Sequence, residues 1–360
     1  MSLLNESKSL QLIEKMSWAH AHGKKNAIVD VGDIRVGHLT ISRDDRDSSG
    51  AKIPIRTGLT AIVPGDLNDE NRYFFGLFPY RNLHEITGYA VTEDFCYLNS
   101  PILLTNLYDV GTAYDAVLSY GFQLGRVEIW PPVVLSIDDS YLNAQTEPAV
   151  DDKDVIRCLQ NSSNQSVEEG SVGIGLGLQT SAWKGGIGTS SRLFSIDGKE
   201  FSVGALVASN SGSPYFSERA NEDPEEKQRR ARRGSLTLVL ATDMPLLPYQ
   251  IKMVSAGVVV SLPSVHMIKN ETDSINCLLF SLANPMSLKN DGPKVFDYVA
   301  VDDSTLSILI RAGLESVAEA LLRSLCLSRS VSGKQDRKTS TISEDSFLAL
   351  LEQFEKSLGA

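Results

Sequence analysis

The spacing of apolar and polar positions divides the chain into helix-prone and strand-prone stretches. Residues 8–20 carry Leu10, Leu12, Ile13, Met16 and Trp18 at roughly helical spacing and predict an amphipathic opening helix. From 27 to 64 short β-branched runs are broken by Gly, Asp and Pro, the pattern of strands and turns. A helix is predicted over 109–120, through Ala113, Ala116, Val117 and Leu118, then a buried strand over 129–137. A short helix over 151–160 leads into a polar loop over 161–170, and 201–208 reads as a further strand. Residues 213–233 are polar, proline-containing and highly charged, so they predict an exposed loop. Ser235 then opens an apolar strand, followed by a helix over 248–262, a strand over 277–282 and a long helix over 303–327. The segment 328–343 reads as mobile, and 344–358 as a final helix with a Phe347, Leu350, Leu351 and Phe354 face. Strands clustered in runs and helices in pairs predict layered α+β packing.

At 360 residues the chain is long enough for one large domain or two ordinary ones, and its 42% hydrophobic share supports a substantial core. No apolar stretch reaches about 18 residues, so no membrane span is expected. Residues 1–23 lack the charged-then-apolar order of a secretory signal. Cys96, Cys158, Cys277 and Cys326 lie far apart with no CxxC pattern, which reads as reduced thiols in an intracellular, cytoplasmic protein. A net charge of −11 argues against nucleic acid as a partner. The basic run Arg229-Arg230-Ala231-Arg232-Arg233 does not change that, because it follows Glu218, Glu222, Asp223, Glu225 and Glu226 in one charge-balanced segment.

Two further patterns exclude chemistry. Gly173, Gly175 and Gly177 miss the dinucleotide fingerprint, since the third glycine comes one position early and a strand follows; close backbone approach inside a packed sheet explains them, and no cofactor is expected. The five histidines, His20, His22, His38, His84 and His266, form no HxxxH pair, so no metal site is expected. His20 and His22 lie two apart on the predicted first helix, on different sides, and His38 and His84 read as satisfied histidines rather than bases.

The informative junction is Arg233-Gly234-Ser235. A basic, polar stretch stops at a glycine, and a serine opens the run Leu-Thr-Leu-Val-Leu-Ala. A chain that cut itself between Gly234 and Ser235 would give Ser235 both a hydroxyl and a free α-amine. An α-amine, with an ordinary pKa of about 7.7–8.0, is suited to activate a hydroxyl that is weakly nucleophilic alone. From these residues alone, a loop entering a buried strand through Gly-Ser is the competing account.

Seven blocks in one order resemble the DmpA-like peptidases, which comprise L-aminopeptidase/D-esterase-amidases and β-peptidyl aminopeptidases. They are Asn26-Ala-Ile-Val-Asp-Val-Gly-Asp-Ile-Arg-Val-Gly-His38, Ile55-Arg-Thr-Gly-Leu-Thr-Ala-Ile-Val-Pro64 and Glu85-Ile-Thr-Gly88. Next come Pro101-Ile-Leu-Leu-Thr-Asn106 with Val110-Gly-Thr112, and Trp183-Lys-Gly-Gly-Ile-Gly-Thr-Ser-Ser-Arg192. The last two are Gly234 to Pro248 and Phe280-Ser-Leu-Ala-Asn-Pro285. The resemblance implies one domain over 1–360 with an αββα sandwich fold, two stacked sheets flanked by helices, shared with ornithine acetyltransferases. It also implies self-cleavage into 1–234 and 235–360, products that stay together, and an oligomer of such pairs.

The same resemblance assigns candidate site residues. Ser235 is the nucleophile, and Asn210, in Ala208-Ser-Asn-Ser-Gly212, is the side-chain amide donor to the tetrahedral oxyanion. From sequence alone, Asn210 also reads as a turn-forming asparagine. The family places a serine 38 residues after the nucleophile and an acid 40 after it. An ungapped count reaches Asp273 and Ile275, which loses the acid and leaves Asp273, or Glu271, as the candidate carboxylate. The family's Glu-x-Tyr-Asp pocket is also altered, with Ser136 and Asp138 at the first two informative positions; Asp138 or Asp139 is the expected partner of a substrate ammonium. Three functions remain open at this point: a self-processing hydrolase of small peptides, amides or esters, a catalytically degenerate binding protein, and an acyltransferase of the same fold. Mutation of Ser235, hydrolysis by the unmodified protein and dependence on an amine acceptor distinguish them.

Overall fold

The computed structural model describes residues 5–65, 71–125, 131–181, 183–211, 234–265, 274–287 and 295–358. After α1 (Glu6–Glu14), β1 (Arg35–Arg46) and β2 (Lys52–Val63) form a long antiparallel hairpin, and β3 (Asn71–Tyr80) follows. Then come α2 (Tyr89–Phe95), β4 (Tyr97–Leu98), β5 (Ile102–Thr105), α3 (Val110–Gln123), β6 (Val133–Ser136) and α4 (Asp152–Gln160). A small hairpin of β7 (Gln179–Thr180) and β8 (Trp183–Lys184) precedes the long strands β9 (Ile187–Ile196) and β10 (Lys199–Asn210). The remainder is β11 (Ser235–Thr242), α5 (Pro248–Ser261), β12 (Ser274–Ser287), α6 (Leu306–Cys326), β13 (Val331–Ser332), β14 (Lys338–Thr339) and α7 (Glu344–Leu358).

Two sheets stack face to face. One has the order β1-β2-β5-β6 and the other β4-β3-β12-β11-β10-β9. Strand alternation sends every second side chain to each face, and the burial clusters follow it. Ile62, Ile102, Leu104, Val133 and Leu135 of the first sheet meet Leu206, Val239, Ala241, Leu278 and Phe280 of the second in the inter-sheet layer. On the outer face of the first sheet, Leu59, Leu103 and Val134 pack with Ala113, Val117 and Val155 of α3 and α4. On the outer face of the second, Leu236, Leu238, Ile275 and Cys277 pack with Val254, Leu309, Leu322, Phe347 and Phe354 of α5, α6 and α7. This is the helix–sheet–sheet–helix sandwich implied by the sequence blocks.

Several expectations change in detail. The opening helix ends at Glu14, so His20 and His22 lie beyond it in irregular chain; His20 bonds Glu315 and His22 the Gly23 carbonyl. Strands β3 and β9 were not anticipated. In β9, Thr189, Ser190, Ser191 and Arg192 are all buried, so its polar composition conceals a buried strand at the edge of the second sheet. Gly188 lets it lie on α6, because a Cβ there would sit 1.8 Å from the Ala320 carbonyl oxygen. The segment 328–343, expected to be mobile, is fixed by β13–β14 pairing and by Lys184 N–H donating to Ser340 O at 2.8 Å. Gly173–Gly177 forms a 3-10 turn rather than part of a sheet, and a Cβ on Gly177 would meet Arg56 O at 2.4 Å, which accounts for the glycine without a ligand. The predicted 213–233 loop lies outside the described residues. Among the described residues no helix is long and apolar enough to cross a membrane.

Beyond β6 the chain is held by a buried polar network. Asn143 and Asn106 donate to Asp139 Oδ2 at 3.1 and 3.3 Å, and Gln145 and the Ala149 N–H donate to Asp109 Oδ1. Burial pushes the Asp139 carboxyl up to about 7, above its ordinary 3.8, and burial also raises Asp109. An acid whose folded-state pKa is raised holds its proton better in the folded protein. Its contribution to stability is therefore full below about pH 4 and is lost as pH rises through about 7. The Asp139→Asn protein, which carries a permanently neutral side chain, should lose less of its thermal unfolding midpoint than the parent between pH 4 and pH 8. Superimposable pH profiles would show that Asp139 ionises as readily folded as unfolded.

Candidate active site

Strand β11 runs between β10, antiparallel, and β12, parallel, and this register assembles the site. Asn210 pairs directly with Ser235 across β10 and β11, and Ser235 stands beside Ser274 across β11 and β12. Val239 and Ala241 point into the inter-sheet layer while Leu236, Leu238 and Leu240 face the helices. By the same alternation Ser235 and Thr237 share the inter-sheet face, at the end of the sandwich where β11 begins. Ser235 is 1% exposed. The carbonyl of Gly234, on the acyl side of the expected scissile bond, accepts the Ser274 N–H at 3.0 Å.

Asn210 has every polar group of its amide assigned by its neighbours. Its Oδ1 accepts the backbone N–H of Gln179 at 3.0 Å, and its Nδ2 donates to the Asp138 carbonyl at 2.6 Å. A backbone N–H can only donate and a carbonyl only accept, so the amide cannot be flipped without losing both bonds. The same Nδ2 lies 3.4 Å from Ser235 Oγ. A donor is thus held beside the Ser235 hydroxyl in a fixed sense. The turn-forming account of Asn210 does not fit, since it is the last residue of a paired strand.

The positions on β12 differ from the ungapped count. Asp273 and Glu271 lie outside the described residues. Ile275 is fully buried on the helix side of the sheet, whereas Ser274 and Asn276 share the face of Leu278 and Phe280, hence that of Ser235. Sequence reasoning missed both, because the count was anchored on Phe280 to Pro285; the parity of the strand was the signal that could have found them. Asn276 donates through Nδ2 to Asn82 Oδ1 at 3.4 Å, and that oxygen also accepts the His84 N–H. Asn276 Oδ1, Ser274 Oγ and Thr237 Oγ1 are buried with no hydrogen-bond partner among the described residues. Three orphaned oxygens on one face are unusual in a folded protein, where buried polar groups are nearly always paired.

The two neighbouring aspartates separate. Asp138 is exposed beside Asn210, with its carboxylate accepting the Ser140 N–H. Asp139 is buried, and its carboxyl is committed to the network beneath, so it does not present a charge to the cleft. Ser136 is buried too, its hydroxyl accepting the Glu85 N–H at 2.9 Å. His84 lies close enough to Asp138 for that charge to act on it; burial lowers the imidazole pKa and Asp138 partly opposes the shift. His38 is farther along the sandwich, lowered to about 4 by burial and neutral against Thr60. Among the described residues no group of three His, Cys, Asp or Glu side chains is arranged to hold a metal ion.

Comparison with known proteins agrees with the fold. The model of Peptidase family S58 matches residues 26–339. The beta-peptidyl aminopeptidase BapA of Sphingosinicella microcystinivorans is 27% identical over 363 aligned positions, which cover 94% of this chain and 90% of that protein. Among solved structures, the L-aminopeptidase D-Ala-esterase/amidase of Ochrobactrum anthropi, described as a variant of the Ntn hydrolase fold, superposes with a TM-score of 0.84 at 27% identity. It covers 95% of this chain and 97% of its own. A Burkholderia sp. beta-aminopeptidase gives 0.82 at 28% identity, covering 96% and 98%. The family model matches most of the chain, and the chain belongs to peptidase family S58.

Proposed function

We propose that this protein is a self-processing N-terminal-serine aminopeptidase or amidase acting on small peptides, amides or esters. The observation that carries the reading is the oriented Asn210 amide 3.4 Å from Ser235 Oγ, at a serine preceded by glycine. In the uncut chain the Ser235 nitrogen is a peptide nitrogen with no basic lone pair. Attack of Ser235 Oγ on the Gly234 carbonyl carbon, which the Ser274 N–H polarises, forms an ester and breaks the C–N bond. The hydroxyl proton passes to the departing Ser235 nitrogen. Water then hydrolyses the ester, leaving a Gly234 carboxylate and a free Ser235 α-amine. The products, 1–234 and 235–360, form one domain, since both contribute strands to the six-stranded sheet.

Turnover reuses the same atoms. The α-amine takes the proton of Oγ as it attacks the substrate carbonyl, and Asn210 Nδ2 donates to the oxyanion. Collapse transfers that proton to the leaving amine, and water releases the acyl group by the reverse sequence. The orphaned oxygens of Thr237, Ser274 and Asn276 supply acceptors for the ammonium state of Ser235, in place of an acid at Ile275. Asp273, next in sequence to Ser274, is the candidate carboxylate for the same ammonium. Asp138 is the candidate partner of the substrate's own ammonium, since its charge is exposed beside Asn210. A cytoplasmic location and an oligomer of cleavage pairs belong to the same reading, the latter in keeping with the general habit of soluble enzymes.

The Ser235→Ala protein should remain a single chain and hydrolyse no aminoacyl amide, while the parent yields two chains beginning at Met1 and Ser235, read by intact mass and N-terminal sequencing. An uncut parent without hydrolysis would overturn the proposal, and turnover only with an added amine acceptor would make it an acyltransferase. Asn210→Ala should lower kcat by about 10²–10³ with little change in KM, the loss found when one oxyanion donor is removed. Asp138→Asn should raise KM for substrates with a free amine and leave kcat nearly constant; an unchanged KM would remove Asp138 from the amine site.

A further inference from the structure

Lys184, on β8, is completely buried, and its ammonium donates to three backbone carbonyls: Gly175 O at 2.6 Å, Leu178 O at 2.7 Å and Gly185 O at 2.6 Å. Burial pulls its pKa down to about 7. Stripping an ammonium of water is costly unless hydrogen bonds replace the hydration shell, and the three carbonyls do so here. A purely structural account is at hand: the side chain ties the Gly173–Gly177 turn to the β7–β8 hairpin. One of the three bonds does more than that. The Leu178 carbonyl belongs to the same peptide group as the Gln179 N–H, which donates to Asn210 Oδ1 at 3.0 Å.

A continuous path therefore runs from the Lys184 ammonium through one peptide group to the Asn210 amide and on to Ser235 Oγ. We infer that Lys184 is a positioning residue for the reaction, fixing and polarising Asn210 through the Leu178–Gln179 peptide. The inference rests on the reading of Ser235 and Asn210 given above. A cation at a peptide oxygen draws electron density from the nitrogen and strengthens its N–H as a donor; each bond in such a chain is strengthened by roughly 10–30%. The stronger donor holds Asn210 Oδ1 away from Ser235 and makes Nδ2 a better donor to developing negative charge. A flipped amide would instead aim a carbonyl oxygen at the oxyanion. The carbonyl of Asp138 enforces the same sense from the other side, so the orientation is secured twice.

The test crosses Lys184→Gln and Lys184→Met with Asn210→Ala in the full chain. Self-cleavage rate and the kcat and KM for aminoacyl p-nitroanilides are read for each. Lys184→Gln keeps a donor of reduced strength and Lys184→Met removes it. Losses in kcat of several-fold for Gln and roughly tenfold or more for Met, with KM within about twofold, are expected in the parent, and little further loss in the Asn210→Ala background. A second readout does not depend on activity: the side-chain amide resonance of Asn210 in ¹⁵N-asparagine-labelled Ser235→Ala protein, assigned by its disappearance in Asn210→Ala. It should shift in both Lys184 variants. Equal fold-losses in both backgrounds, an unmoved Asn210 resonance, or failure of both Lys184 variants to fold would reduce Lys184 to a determinant of the fold and overturn the proposal. If the parent protein hydrolyses nothing and stays uncut, the hydrolase reading falls, and the amide resonance alone decides whether Lys184 controls Asn210.

Discussion

The site depends on the placement of β11 between an antiparallel and a parallel neighbour. Pairing Asn210 with Ser235 brings the amide opposite the hydroxyl, and pairing Ser235 with Ser274 brings a backbone donor to the Gly234 carbonyl. A slip of one residue in either ladder would turn Ser235 or Asn210 from the inter-sheet face to the helix face. The apolar alternation of β11, with leucines toward the helices and Val239 and Ala241 toward the other sheet, makes such a slip costly. The hydrophobic core therefore sets the register, and the register sets the chemistry.

Buried charge holds the flanking helix in place. Arg192 of β9 is fully buried, pairs with Glu319 at 2.7 Å and Glu315 at 3.4 Å on α6, and lies over the Trp18 ring. Arg323 of the same helix pairs with Glu169, whose N–H-accepting carboxylate also receives Thr189 N of β9. Such pairs are weak evidence of net stability, because desolvation offsets much of their attraction, but loss of one partner leaves an uncompensated charge at a cost of about 3–5 kcal/mol. They fix where α6 crosses the sheet. The tight passage at Gly188 leaves no room for another arrangement of those two elements.

The polar groups considered for the site are divided between the fully committed and the unfilled. Asn210, Asp139 and Ser136 have their partners, and the committed groups define orientation. Among the described residues, Thr237, Ser274 and Asn276 each keep a buried oxygen without one. Such unfilled acceptors are costly in a finished core and, on the proposed function, intelligible beside a nitrogen that would gain hydrogens on cleavage. The same logic suits Asn276, one residue beyond the Ile275 position that the ungapped count assigned to an acid. It offers an acceptor without burying a further charge.

Much of the fold was legible in the sequence, since helices 152–160, 248–261, 306–326 and 344–358 and strands 199–210 and 235–242 follow local apolar periodicity. The Gly234-Ser235 junction was legible too, because an apolar run opening on serine is a local signal. Strand β9 was not, because its buried face is polar and depends on distant partners such as Glu319 and Asn26. The residues of β12 were not either: strand parity, decided by pairing with β11, selects Ser274 and Asn276 over Ile275. Asp138 and Asp139 are adjacent and chemically alike, and only packing leaves one exposed and buries the other, pushing its carboxyl pKa up to about 7. Sequence by itself determined most of the elements and the candidate nucleophile, which depend on neighbours along the chain. Tertiary structure alone decided which groups surround that nucleophile, because register and burial depend on residues far away in it.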